Sequence, residues 1–300
     1  MYTWRELVAL YRLTDPSPPS NIQPRYNICP TTTIDAVIER DGKRVLEQMR
    51  WGLVPSWWNK PLKEMRLATF NARAEAVAEK PFFRAAFKHT RCLIPASGYY
   101  EWHTVGKEKQ PYYFTRRDGQ IMTIAGLWSE WKNPETGKPQ NTCTMIITQP
   151  NKFVVGIHDR MPVILEEKQF DAWLDDDAVP VSLLKMLKPA AERILASHSV
   201  SKRVNSSRAD GDDAAQPPDR AATPVSGDYV AFEPTERLDP STVQPTFRGE
   251  VSNHRRQQSV HMFRSGLRKS DDPETIAQWA RQGVQRVGRC HVAHVTQIEV

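Results

Sequence analysis

"TRCLIPASGYYEW", residues 90–102, is the stretch on which the fold turns. It is a β-rich run, and runs of the same kind recur on both sides of it: "TIDAVIE" (33–39), "RVLEQMRWGLV" (44–54), "PYYFTRR" (111–117), "MTIAGLWSEW" (122–131), "TCTMIITQP" (142–150) and "RMPVILE" (160–166). Turn signals separate them, "RDGK" at 40–43, "RDGQ" at 117–120 and "NPETGKPQ" at 133–140. Helical patterns fall at 2–13, 80–88, 167–174 and 182–196, with Leu7, Leu10, Tyr11 and Leu13 of the first turned toward a core. Strands dominate and helices do not alternate with them. That predicts an α+β domain around a compact, mostly antiparallel sheet or barrel with flanking helices, and argues against a doubly wound sheet.

The chain has 300 residues, enough for one large domain or a domain with an appendage. Of its 27 aromatic residues, 22 lie in 1–208. Residues 210–260 are rich in Pro, Asp, Ser and Arg with little periodicity, so 209–300 reads as a largely disordered tail. A short helix is expected near 272–284, capped by Asp272 with Pro273 at its first position. The tail carries no recognisable chemistry. It is either a partner-binding appendage or the product of a shifted reading frame.

No apolar run of about 18 residues is present, so no membrane span is expected, and the start lacks a signal-peptide pattern. Cys29, Cys92, Cys143 and Cys290 are far apart, which argues against a zinc knuckle or a disulfide framework and fits a reducing cytoplasm. Residues 1–208 hold 30 Lys and Arg against 22 Asp and Glu, while 209–300 hold 11 against 13. The basic excess in the first part suits either an anionic partner or a soluble basic surface.

Several short stretches hold side chains fit for chemistry. "PRYNICPTT" (24–32) carries Asn27 and Pro30, and "MRWGLVPSWW" (49–58) places tryptophans near a turn. Trp57 and Trp58 read as loop residues: they either stack nucleobases, at about 1–3 kcal/mol per base, or plug one end of the barrel. Arg73 in "FNARAE" (70–75) and Arg160 in "GIHDRMPVI" (156–164) either clamp phosphates or pair with neighbouring carboxylates. Glu101 is flanked by aromatics in "ASGYYEW" (96–102), a setting that raises a carboxyl pKa toward general acid–base work. His158 is a candidate partner for it, and Asn71 can hold a hydroxyl or aldehyde oxygen. There is no G-x-G-x-x-G, Walker loop, G-x-S-x-G or H-E-x-x-H, and the "HD" dipeptide lacks the further histidines of a metal phosphohydrolase. No metal and no cofactor are expected.

In this order, "RYNICP", "MRWGLVPSWW", "FNARAE", "GYYEW", "GIHDRMPVIL" and "VSKRVN" resemble the SOS-response-associated peptidase family of abasic-site processing proteins. The resemblance covers about residues 1–208. It implies a compact mixed α and β fold that binds single-stranded DNA at abasic sites and joins to it covalently, with self-processing peptidase activity. By resemblance Asn71, Glu101 and His158 match the family's catalytic residues. Arg73 and Arg160 match its phosphate-binding arginines, and Trp57, Trp58 and Trp102 its aromatic DNA contacts. Asn27 and Pro30 complete the DNA-binding set. The expected partner is single-stranded DNA carrying abasic sites, in the cytoplasm and on the nucleoid when bound.

Family members begin Met-Cys-Gly-Arg, and removal of Met exposes a Cys whose α-amine and thiol close a thiazolidine ring on the abasic aldehyde. This chain begins "MYTWREL", and a stretch like "TWREL" lies a few residues after that Cys in the family. The expectation is therefore either a true start upstream that restores the Cys, or a truncated chain. Cys29 and Cys92 are internal and lack a neighbouring free amine. Two functions follow: covalent capture of abasic sites, or a non-catalytic single-stranded-DNA-binding module that has lost the nucleophile. A conventional hydrolase is weaker, for want of a nucleophile–base motif.

Overall fold

In the computed structural model, residues 2–14, 24–217 and 297–299 are described. The expected helix at 272–284 and most of the tail from 209 lie outside them. The first helix, α1 (Trp4–Tyr11), starts on a capping box in which Thr3 and Glu6 satisfy each other's backbone amides. Its inner face buries Leu7 and Tyr11, and the Tyr11 hydroxyl meets Thr123 Oγ1 at 2.7 Å.

β1 (Thr33–Arg40) and β2 (Lys43–Trp51) form a hairpin over the predicted "RDGK" turn. Asp41 and Gly42 both have positive φ, 53° and 69°, the geometry that matches the strands' twist. The short β3 (Asn71–Arg73), then β4 (Arg91–Ala96), β7 (Met122–Lys132) and β8 (Pro139–Thr148) extend the sheet in the order β2-β1-β4-β7-β8-β3. A parallel pairing of Arg50–Trp51 with Thr142–Cys143 joins its ends into a closed barrel. β3 runs parallel to β8 as well, with Asn71 opposite Met145. The other pairings are antiparallel, including the two-residue β9 (Met161–Pro162) on β8. Val37, Met49, Leu93, Ile94, Ala125 and Ile146 are among the residues buried in its core.

A second sheet has β5 (Gly98–Val105) and β6 (Glu108–Arg116) at its centre. β10 (Leu195–Ser199) lies on one edge and β11 (Gln297–Glu299) on the other. Ser97 alone separates β4 of the barrel from β5 of this sheet. The remaining helices are α2 (Arg84–His89), α3 (Phe170–Leu174) and α4 (Pro180–Met186). The helix expected over 182–196 thus ends at Met186. Pro189 cannot continue it, and Leu195–Ser199 pairs with Tyr112–Arg116 instead. The run 160–166 is strand only at Met161–Pro162, with a further bridge from Ile164 to Ile124.

Packing continues beyond residue 208. Asp210 Oδ1 accepts the backbone N–H groups of Tyr26 and Asn27 at 2.6 and 3.0 Å, and Ala214 is buried. At the corner between the sheets, a Cβ on Gly98 would fall against the Phe114 carbonyl and 2.7 Å from the Tyr113 ring. Gly98→Ala should therefore destabilise the fold by about 1–3 kcal/mol. A chemical denaturation midpoint equal to that of the wild type would show that the corner can relax.

Candidate active site

Strand alternation on β5 sorts its side chains into two faces. Tyr99 and Glu101 share one, Tyr100 and Trp102 the other. Tyr99 stacks on Phe114 with ring centres 4.9 Å apart, and Tyr100 packs on Tyr113 at 4.8 Å while its hydroxyl donates to the Tyr26 carbonyl at 2.7 Å. The strand is thus pinned from both sides, and Glu101 sits on it at 1% exposure. Its Oε2 lies 3.5 Å from His158 Nδ1. Burial, and then the charge of Glu101, push the Tyr99 phenol well above its ordinary range and keep it neutral.

His158 is carried by a series of tight turns after β8. Asn151 organises them: its Oδ1 accepts Val154 N–H at 2.9 Å and its amide donates to the Ala190 carbonyl at 2.9 Å. The His158 N–H then closes on the Val154 carbonyl at 3.0 Å. The ring Nδ1 faces the Arg160 N–H at 3.2 Å, the Arg160 carbonyl at 3.1 Å and the Glu101 carboxylate. Without a proton on Nδ1 the ring accepts from Arg160 N–H, and with one it faces the Arg160 carbonyl as the nearer acceptor and the Glu101 carboxylate beyond it. The ring nitrogen thus has one donor and two acceptor groups within reach.

Asn71 projects from β3, and its Oδ1 is buried without a hydrogen-bond partner among the described residues. Such an acceptor costs free energy unless something bonds to it, which marks Asn71 as ready for a donor. Arg73, at the other end of β3, is exposed. Arg160 Nη1 donates to Glu75 Oε1 at 2.5 Å, and Gln149 donates to the same oxygen at 3.3 Å. Burial alone would raise the Glu75 pKa, but its own backbone N–H, the Arg160 hydrogen bond and charge, and Gln149 outweigh it and hold the carboxyl below its usual range.

The structure thus brings Glu101, His158 and Arg160 into one contact network. Glu75 extends that network to the segment that follows Asn71 and Arg73. The tryptophans form a cluster of their own: Trp57 is 53% exposed and packs edge-on against Phe82 at 5.3 Å, and Trp58 lies 6.1 Å from the same ring. The Trp58 carbonyl accepts from Trp131 Nε1 at 2.6 Å, which anchors the loop. Trp102 donates from its indole to Asn205 Oδ1 at 2.7 Å.

Asn27 is buried, and its amide donates to the carbonyls of Val204, Ser206 and Ala209 at 3.2, 3.0 and 2.9 Å. That amide is committed to holding the C-terminal loop, and Pro30 stands in the turn that leads into β1. Sequence reasoning gave no role to Glu75, Phe82 or Asp210. Glu75 stood inside "FNARAE", but its partner is 85 residues away. Among the described residues no group of three or more His, Cys, Asp and Glu could hold a metal ion. Cys92 and Cys143 are buried, and burial raises both thiols well above their usual range.

The family model described as SOS response associated peptidase (SRAP) matches residues 2–207. Abasic site processing protein YoqW of Bacillus subtilis is 34% identical over 203 residues, which is 67% of this chain and 89% of that protein. Abasic site processing protein HMCES of Xenopus tropicalis is 36% identical over 215 residues, 62% of this chain and 64% of its own. A crystal structure of a Bacteroides thetaiotaomicron protein superposes with a TM-score of 0.58 at 26% identity, over 63% of this chain and 82% of the other. One from Bordetella bronchiseptica gives 0.59 at 23% identity, over 67% and 97%, and shows the shared fold. With its motifs, its barrel and a family match over most of its described residues, this chain belongs to the SOS response associated peptidase family.

Proposed function

We propose that this protein recognises abasic sites in single-stranded DNA and takes part in their covalent capture. The observation that carries the reading is the buried Glu101 carboxylate 3.5 Å from His158, whose ring Nδ1 also faces the main chain of Arg160. The names of the relatives, abasic site processing proteins, support the abasic-site part of this reading.

An abasic sugar is mostly a closed hemiacetal. Opening it requires loss of the anomeric hydroxyl proton and gain of a proton at the ring oxygen. In this reading Glu101 moves the first proton and His158 supplies the second. Asn71 orients the attacking group through its free Oδ1. Arg73 and Arg160 hold flanking phosphates, while Trp57 and Trp58 stack on or wedge between bases, with Trp102 as a further aromatic contact.

The covalent step needs an amine and a thiol on adjacent carbons. The amine adds to the aldehyde and water leaves to give an imine. The thiol sulfur then bonds to the same carbon while its proton passes to nitrogen, closing a thiazolidine. Internal cysteines cannot do this, because their nitrogens are amides; Cys92 and Cys143 are also buried. An N-terminal cysteine can. The Tyr2 hydroxyl donates to the Pro95 carbonyl at 3.3 Å, so the start of α1 lies against the corner that leads into β5 and Glu101. The peptidase activity in this reading is self-processing: exposure of the terminal cysteine and release from the crosslink.

The test is a denaturing gel with a single-stranded oligonucleotide bearing one abasic site. It compares the chain from Met1 with one extended to begin Met-Cys-Gly-Arg. A heat-stable band from the extended chain supports capture. No band from either, with equal affinity for intact and abasic strands, would reduce the protein to a DNA-binding module. In the capturing form Glu101→Ala should slow capture by about 100-fold or more and leave strand affinity close to wild type. Trp57→Ala should weaken binding by about 1–3 kcal/mol without lowering the melting temperature, since that ring is half exposed.

A further inference from the structure

We infer that Glu75 is a positioning residue for His158, acting through Arg160. The inference rests on the proposed function above for its meaning, but its geometry stands apart. Glu75 is fixed from two directions. Its backbone follows β3, where Ala74 N–H bonds to the Ile147 carbonyl at 2.8 Å and Ala76 N–H to the Arg73 carbonyl at 3.0 Å. Its Oε1 receives Arg160 at 2.5 Å and Gln149 at 3.3 Å.

Arg160 in turn faces His158 with its main chain. Its N–H and its carbonyl are the groups at 3.2 and 3.1 Å from His158 Nδ1. The guanidinium and the peptide of one residue thus serve two partners. Holding the guanidinium against β3 holds the peptide against the imidazole, and so sets the ring angle that presents Nδ1 to Glu101. Exposed ion pairs of this kind contribute little to overall stability. The consequence lies in alignment, where a displacement of about 1 Å can cost about 100-fold in rate.

The charge has a second effect of opposite sign. Glu75 neutralises Arg160 before DNA arrives and competes with phosphate for it. Because the Glu75 pKa is depressed in the fold, the carboxylate is ionised at neutral pH, and the pair is lost only as pH falls through that lowered value. Removing Glu75 therefore leaves an extra uncompensated cation at the DNA face, but a looser histidine.

Glu75→Ala and Glu75→Gln separate these effects. Both should bind intact single-stranded DNA more tightly at low salt, with a salt dependence steeper by about 0.7 in the log–log slope. In the DNA-free protein, the imidazole nitrogen signals of His158 should shift in Glu75→Ala. They should stay near wild type in Glu75→Gln, which still offers Arg160 an acceptor. In the capturing form, Glu75→Ala should capture about 10-fold or more slowly at saturating abasic strand, and Glu75→Gln should recover most of that rate. Unchanged His158 signals in Glu75→Ala would overturn the inference and leave an ordinary surface pair. A wild type that never captures would refute the proposed function, yet the imidazole signals would still decide the role of Glu75.

Discussion

The parallel contact between Arg50–Trp51 and Thr142–Cys143 closes the barrel, and the site depends on that closure. It makes β8 the hub of the domain, paired with β7 on one side and with β2 and β3 on the other. The chain leaves β8 at Gly52, whose N–H bonds to the Cys143 carbonyl at 2.7 Å. It returns at Phe70, whose carbonyl accepts Met145 N–H at 3.1 Å. The intervening loop is fastened at both ends to adjacent rungs of one strand. Trp57 and Trp58 sit on it, and both rings face Phe82 beyond it.

The electrostatics of the site follow from an aromatic frame. A carboxylate with almost no exposure is expensive in free energy unless partners face it. At Glu101 a neutral Tyr99 shares its strand face and His158 stands 3.5 Å away. The phenol therefore introduces no second negative charge into this corner. The cations lie further out, on Arg73 and Arg160, where solvent reaches them.

Much of this was legible in the residues. The long strands showed in their β-rich runs, and "RDGK" named its own turn, because both are local properties. β3 is only three residues long and is held by parallel pairing to a distant strand, which leaves no local signature. The same holds for barrel closure. The helical spacing of 182–196 runs on past α4 into the first two residues of β10, where Pro189 and pairing with β6 override it. At the site, Glu101 and His158 could be named singly, but their separation could not. Asn27 appeared as a ligand contact because a polar residue between Tyr26 and Pro30 invites that reading. What the residues alone could not show is that its amide nitrogen ties down carbonyls more than 175 residues away.

The single-residue step at Ser97 couples the two sheets mechanically. Residues 91–105 run as one strand bent at a corner, so β4 cannot open without disturbing β5. Glu101, in the middle of β5 and bonded across to Tyr112, belongs to the same cooperative unit as the barrel. His158 rides on turns outside any ladder. The two side chains of this contact are therefore carried by different kinds of backbone, one in a ladder and one in turns. The 3.5 Å contact between Glu101 and His158 therefore ties the continuous strand to the turns that follow β8.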